Sequence, residues 1–186
     1  MYLSDSRYEA IKQDVVDMFE ECGLDTYPID CFEIARRLHY RLIPYSRLKG
    51  KKLIAARQIS SDGFHILVED KRTGMFVWAI IYNDSNSRER QRWTILHEIG
   101  HIRLDHTQES ELAEAEANFY AKYSIAPPPL VHIAQCEDFM DIATKFDMSV
   151  TAAFYAMEYY LKWLRYGPSE YQPIEQKMLR LFGIAA

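Results

Sequence analysis

The stretch Trp93-Thr94-Ile95-Leu96-His97-Glu98-Ile99-Gly100-His101-Ile102 decides how this chain is read. Within it, His97 and His101 stand four residues apart, so on a helix both imidazoles leave one face a turn from each other. Two such imidazoles can bind a single Zn²⁺. Glu98 lies beside them, where it can take a proton from a water held at the ion. The plain alternative is an exposed helix face carrying two unrelated histidines. The neighbours argue against it: Trp93, Ile95, Leu96, Ile99, Ile102 and Leu104 recur at helical spacing and point to a buried helix. Ser87 reads as its N-cap, and Arg88-Glu89-Arg90-Gln91-Arg92 as its solvated first turns.

A catalytic zinc site normally has three protein ligands and a water. The candidates for the third lie in Glu109 to Ala121, a stretch rich in Ala and Glu without Gly or Pro, which reads as a second helix. Leu112, Ala115 and Phe119 would form its apolar stripe. Glu114 and Asn118 are four apart and share another face. That pairing makes Glu114 the third ligand and lets Asn118 hydrogen-bond a ligand imidazole, which would fix the histidine's tautomer. Glu109 and Glu111 read better as solvated helix charges. Glu116 stays open as the alternative ligand.

These two segments together resemble the ImmA/IrrE family of metallopeptidases. The resemblance rests on His97-Glu98-Ile99-Gly100-His101 followed by Glu114-Ala115-Glu116-Ala117-Asn118-Phe119-Tyr120-Ala121 and then Pro127. Tyr27-Pro28-Ile29-Asp30-Cys31-Phe32-Glu33-Ile34-Ala35 resembles the family's opening Pro-Val-Asp helix. Ile80-Ile81-Tyr82-Asn83 resembles the strand that precedes its zinc helix. The likeness runs from about Tyr27 to about Tyr160. It departs at Ser124-Ile125-Ala126, where the family usually has Leu-Leu-Met before the proline. The resemblance implies an intracellular peptidase that cuts one bond in a specific protein, often a helix-turn-helix repressor encoded nearby, and hence a role in transcription regulation.

Length and composition fit one α+β domain over residues 1–186, with C-terminal helices at 168–184 appended to the region of resemblance. Apolar residues make up 48% and aromatics 13%, so the chain is globular. Cys22, Cys31 and Cys136 form no even framework, which suggests a reducing compartment. The N-terminus lacks a basic region followed by an apolar run, and the run Met75 to Tyr82 is too short for a bilayer. A cytoplasmic location is expected. The net charge of −5 is opposite to that of broad nucleic-acid binders, so no direct nucleic-acid partner and no membrane partner is expected.

Ser4 to Cys22 reads as a helix stopped by Gly23, and Asp30 caps a second helix reaching about His39. Leu53 to Ile59, Phe64 to Val68 and Met75 to Tyr82 read as three strands of a mainly antiparallel meander, with turns at Ser61-Asp62-Gly63 and Lys71-Arg72-Thr73-Gly74. After a break at Pro127-Pro128-Pro129, helices are expected near Asp138 to Phe146, Ser149 to Arg165 and Pro173 to Phe182. The segment Asp141 to Tyr155 has the cadence of a helix-turn-helix. Its second helix begins Ser149-Val150-Thr151-Ala152-Ala153-Phe154-Tyr155-Ala156, without Arg, Lys, Asn or Gln, and is too apolar to read a groove.

His39, His65 and His132 have no partner spacing and read as ordinary residues. His106, just past the zinc helix, could approach the site and polarise a substrate carbonyl, although a histidine near a helix C-terminus has a plain electrostatic reason to be there. The resulting assignment is Zn²⁺ on His97, His101 and Glu114, with Glu98 as general base; Mn²⁺ is compatible with the ligand set. Two further readings stand beside the peptidase. One is a non-catalytic regulator that keeps the fold and binds a partner or DNA; the intact Glu98 argues against it. The other is a small-molecule hydrolase using the same zinc chemistry.

Overall fold

The computed structural model describes residues 3–184. In chain order its elements are α1 (Asp5–Glu21), α2 (Cys31–Arg37), β1 (Arg41–Pro44), a 3₁₀ turn (Tyr45–Arg47), α3 (Lys51–Ile59), β2 (Gly63–Glu69) and β3 (Phe76–Tyr82). Then come α4 (Arg88–Arg103), α5 (Glu111–Ile125), α6 (Pro128–Ile133), α7 (Phe139–Lys145), α8 (Val150–Tyr166) and α9 (Pro173–Leu181). The chain divides into two compact units, residues 30–121 and residues 1–29 with 122–186.

Residues 30–121 hold the sheet. Its order is β1-β3-β2, with β1 parallel to β3 and β2 antiparallel to it. β3 is central, and Ala79, Ile80, Ile81 and Tyr82 are all buried, as expected of a strand covered on both faces. The α+β class and the strands β2 and β3 follow the sequence expectation; the strand expected at Leu53 to Ile59 and the antiparallel meander do not. Leu53 to Ile59 is helical: α3 packs Leu53 and Ala56 against Tyr45 and Ile81, while Ile54 and Ile59 stay exposed. Ala55, Ala56, Arg57 and Gln58 are good helix formers, and a short apolar run does not by its spacing separate helix from strand. The third strand is instead Arg41–Pro44, four residues long and closed by a proline. Tyr45 joins the turn to the helix end, its hydroxyl donating to the carbonyls of Ser60 at 2.9 Å and Ala56 at 3.3 Å.

Local capping follows the sequence closely. Asp30 accepts from the amides of Phe32 and Glu33, Ser4 caps α1, and Ser87 caps α4 through the amide of Arg90. The loop between β2 and β3 turns where Gly74 takes φ +71°, with the Asp70 amide donating to the Met75 carbonyl.

In residues 1–29 with 122–186, α1 buries Ile11, Val15, Val16, Met18 and Phe19. It meets the C-terminal end of the chain through a Phe19–Phe182 edge contact and through Lys177, which bonds both Asp17 and Glu20 at 2.7 Å. The prolines open a helix here: Pro127 is the N-cap of α6, and Pro128 and Pro129 fill positions whose missing amides cost nothing. The α7–α8 pair turns at Asp147, whose φ is +50°. Among the described residues no helix is long and apolar enough to cross a membrane.

All three cysteines are buried and none is in a disulfide. Burial drives the Cys31 thiol up to about 12 and also raises that of Cys136. Because only the thiolate attacks, the native protein should leave a chromogenic disulfide reagent unreacted at mildly alkaline pH and yield all three thiols after unfolding. Rapid native labelling of Cys31 would show that this core is not closed.

Candidate metal centre

α4 carries the motif and is gripped at two close approaches within residues 30–121. Near its middle, a Cβ on Gly63 would lie 2.7 Å from the Thr94 methyl and 2.8 Å from the Ile81 carbonyl oxygen, so only glycine lets β2 pass so near. Toward its C-terminal end, a Cβ on Gly100 would lie 2.9 Å from Cβ of Tyr120 and 3.0 Å from its ring, so Gly100 sets the approach of α5. Polar contacts pin the N-terminus: Arg90 bonds Asp62 at 2.6 and 3.1 Å, and Asn86 donates to the same carboxylate. The Arg90 guanidinium holds the Asp62 carboxyl below its usual range. The expected solvated first turns are corrected at Arg92, which is only 4% exposed. The run straddles both faces of the helix, so one of its arginines points inward.

The expected ligand set converges. Nε2 of His97 and Nε2 of His101 are 3.0 Å apart. The Glu114 carboxylate lies 3.5 Å from the first and 3.3 Å from the second. Donors about 2.0–2.2 Å from one tetrahedral ion stand roughly 3.3 Å from one another, so this spacing and two nitrogens plus one oxygen fit a divalent metal. Burial, reinforced by His97, lowers His101 to about 4, which keeps its ring neutral and its lone pair free at neutral pH. Glu114 is the exposed member, its side chain 52% accessible.

Glu98, next to His97 on α4, is 7% exposed. Its Oε2 lies 2.6 Å from Nδ1 of His65 on β2. The His65 ring also stacks against His101 and meets the edge of Trp78. His65 is therefore no ordinary strand residue. Its sequence signal was weak, since nothing in a single strand tells which α-helix it faces; Gly63 two residues earlier, on the same sheet face, was the available hint.

Two assignments are placed differently from the sequence expectation. Asn118 is exposed on α5, and the hydrogen-bond partner of a ligand ring is His106, not Asn118. His106 lies behind His101: its Nδ1 is 2.9 Å from Nδ1 of His101, and its Nε2 is 2.8 Å from the Glu116 carboxylate. α4 ends with the His106 amide donating to the His101 carbonyl and the Asp105 amide to that of Ile102, Asp105 having φ +54°. This is a Schellman turn with Asp in the place where glycine is usual, and it folds His106 back onto the preceding turn. The expected apolar stripe of α5 is corrected at Leu112, which is 46% exposed, whereas Phe119 is buried as expected, together with Ala113, Glu116, Ala117 and Tyr120, the residue that packs on Gly100.

An i, i+4 histidine pair and a carboxylate from the following helix, with a buried glutamate beside them, define a metallopeptidase-like centre. The peptidase family M78 model, described as an IrrE N-terminal-like domain, matches residues 54–156, more than half of the chain, and the chain belongs to that family. A comparison with curated proteins gives no match.

Gly100→Ala separates packing from helix propensity. Propensity alone would stabilise α4 by up to about 1 kcal/mol. The contact with Tyr120 predicts a net loss of about 1–3 kcal/mol by overpacking, read as a lower urea midpoint. A raised midpoint would mean that α4 and α5 are not in close contact here.

Proposed function

We propose that this chain is an intracellular zinc-dependent endopeptidase that hydrolyses one peptide bond in a specific protein, such as a helix-turn-helix repressor. The observation that carries this reading is the convergence of His97, His101 and Glu114 on one point with Glu98 beside it. When bound there, zinc would supply Lewis acidity toward the scissile carbonyl and lower the pKa of water. His97 and His101 would hold it through Nε2 and Glu114 through its carboxylate; Mn²⁺ suits the same donors.

Glu98 takes the proton from the attacking water and returns it to the leaving amine. His65 restrains the Glu98 carboxylate by occupying one of its oxygens, which leaves the other for the attacking water. The substrate enters extended along β2, an edge strand that also carries His65. Leu67 shares the sheet face of His65 and is half exposed, which offers an apolar contact to one substrate side chain.

His97→Ala and His101→Ala should each abolish stoichiometric zinc by elemental analysis. Glu98→Gln should keep the metal and lower cleavage of a co-encoded repressor by about 10²–10⁴-fold. Zinc retained in both histidine variants would overturn the site. Undiminished cleavage by Glu98→Gln would overturn the mechanism.

The partner class has its own test. In a mobility-shift titration at near-physiological salt, this acidic chain should give no sequence-selective duplex shift, since the first turns of α8 present Val150, Phe154 and Tyr155 and no basic group. Tight, salt-resistant binding to one sequence would favour the regulator reading.

A further inference from the structure

We infer that His106 and Glu116 form a positioning relay that fixes the tautomer and orientation of His101 for metal binding. This rests on the metal-site reading above. The hydrogen-bond geometry leaves one self-consistent arrangement of protons. With Nε2 of His101 turned to the point shared with His97 and Glu114, its ring proton must be on Nδ1. That N–H faces Nδ1 of His106 at 2.9 Å, so His106 accepts there and carries its own proton on Nε2. Nε2–H in turn donates to the Glu116 carboxylate at 2.8 Å. A carboxylate accepts only, so Glu116 sets the direction of the whole chain.

Burial makes this relay stringent. The side chains of His106 and Glu116 are 10% and 6% accessible, so water competes little for either ring or for the carboxylate. The two ligand histidines differ in this respect. Nδ1 of His97 is buried and has no hydrogen-bond partner among the described residues, whereas Nδ1 of His101 is held by two further side chains in series. His101 is therefore the preorganised ligand, and the relay is what makes it so. Groups that orient a ligand imidazole typically contribute about 10–100-fold to metal affinity.

The test uses the full chain and zinc itself as probe, by competition with a chromophoric chelator, with melting of the metal-free protein measured alongside. His106→Ala should weaken zinc by about 10–100-fold and change the metal-free melting temperature little. Glu116→Leu should weaken it similarly. Glu116→Gln should retain most of the affinity, because its amide oxygen still accepts from Nε2–H of His106. Long-range ¹H–¹⁵N spectra of the zinc-loaded protein should show the Nδ1–H form of His101 in the wild type. If His106→Ala fails to fold, the two Glu116 variants decide by the difference between Leu and Gln. Zinc affinity within twofold of wild type in both His106→Ala and Glu116→Leu, with His97→Ala abolishing binding, would overturn the relay alone. Undiminished zinc binding in His97→Ala would overturn the metal site and the relay with it.

Discussion

The close passage of α4 between β2 and α5 is the constraint on which the centre depends. Gly63 and Gly100 remove the side chains that would hold these elements apart, one at the Thr94 methyl and one at the Tyr120 ring. Each approach delivers a functional group. The first brings His65 of β2 to Glu98; the second brings Glu114 of α5 to His97 and His101. A shift of about 1 Å in α5 would part Glu114 from the two imidazoles and one in β2 would part His65 from Glu98, and interiors packed at native density do not absorb such shifts without cost.

Burial then sorts the titratable groups. His101 is deep enough to stay neutral well below pH 7, as a ligand must be. Glu98 is also buried, and a carboxylate there is tolerable because His65 offers it a hydrogen bond at 2.6 Å. Glu114 is half exposed, so the donor set is walled by histidines on one side and open on the other.

How much of this was legible in the sequence depended on whether the signal was local. The helix of His97 and His101, its Ser87 cap, the placement of Glu114 beside them and the class of fold all rest on spacings within one element or on residues with few alternatives. The strand placed at Leu53 to Ile59 failed because five apolar residues in seven suit a helix or a strand equally until a neighbour chooses. Tyr45 and Ile81 made that choice. His65 and the inward turn of Arg92 were hidden for the same reason: what a residue faces across an interface is not written in its own segment. His106 was visible as a nearby histidine, yet its orientation came from a Schellman turn with Asp105 in the left-handed position, where the usual glycine signal is missing.

The spacing of the two α5 glutamates has a geometric meaning of its own. Residues two apart on a helix point roughly 200° away from each other, so Glu114 and Glu116 cannot lie side by side. Glu114 reaches the Nε2 edge of His101 directly, while Glu116, on the buried side, reaches the Nδ1 edge through His106. One helix thus holds both edges of a single imidazole, an outcome that Glu114 with a carboxylate at 117 or 118 would not produce, because those positions share its face. Ala113 and Ala117 are buried with Glu116 on that face of the helix.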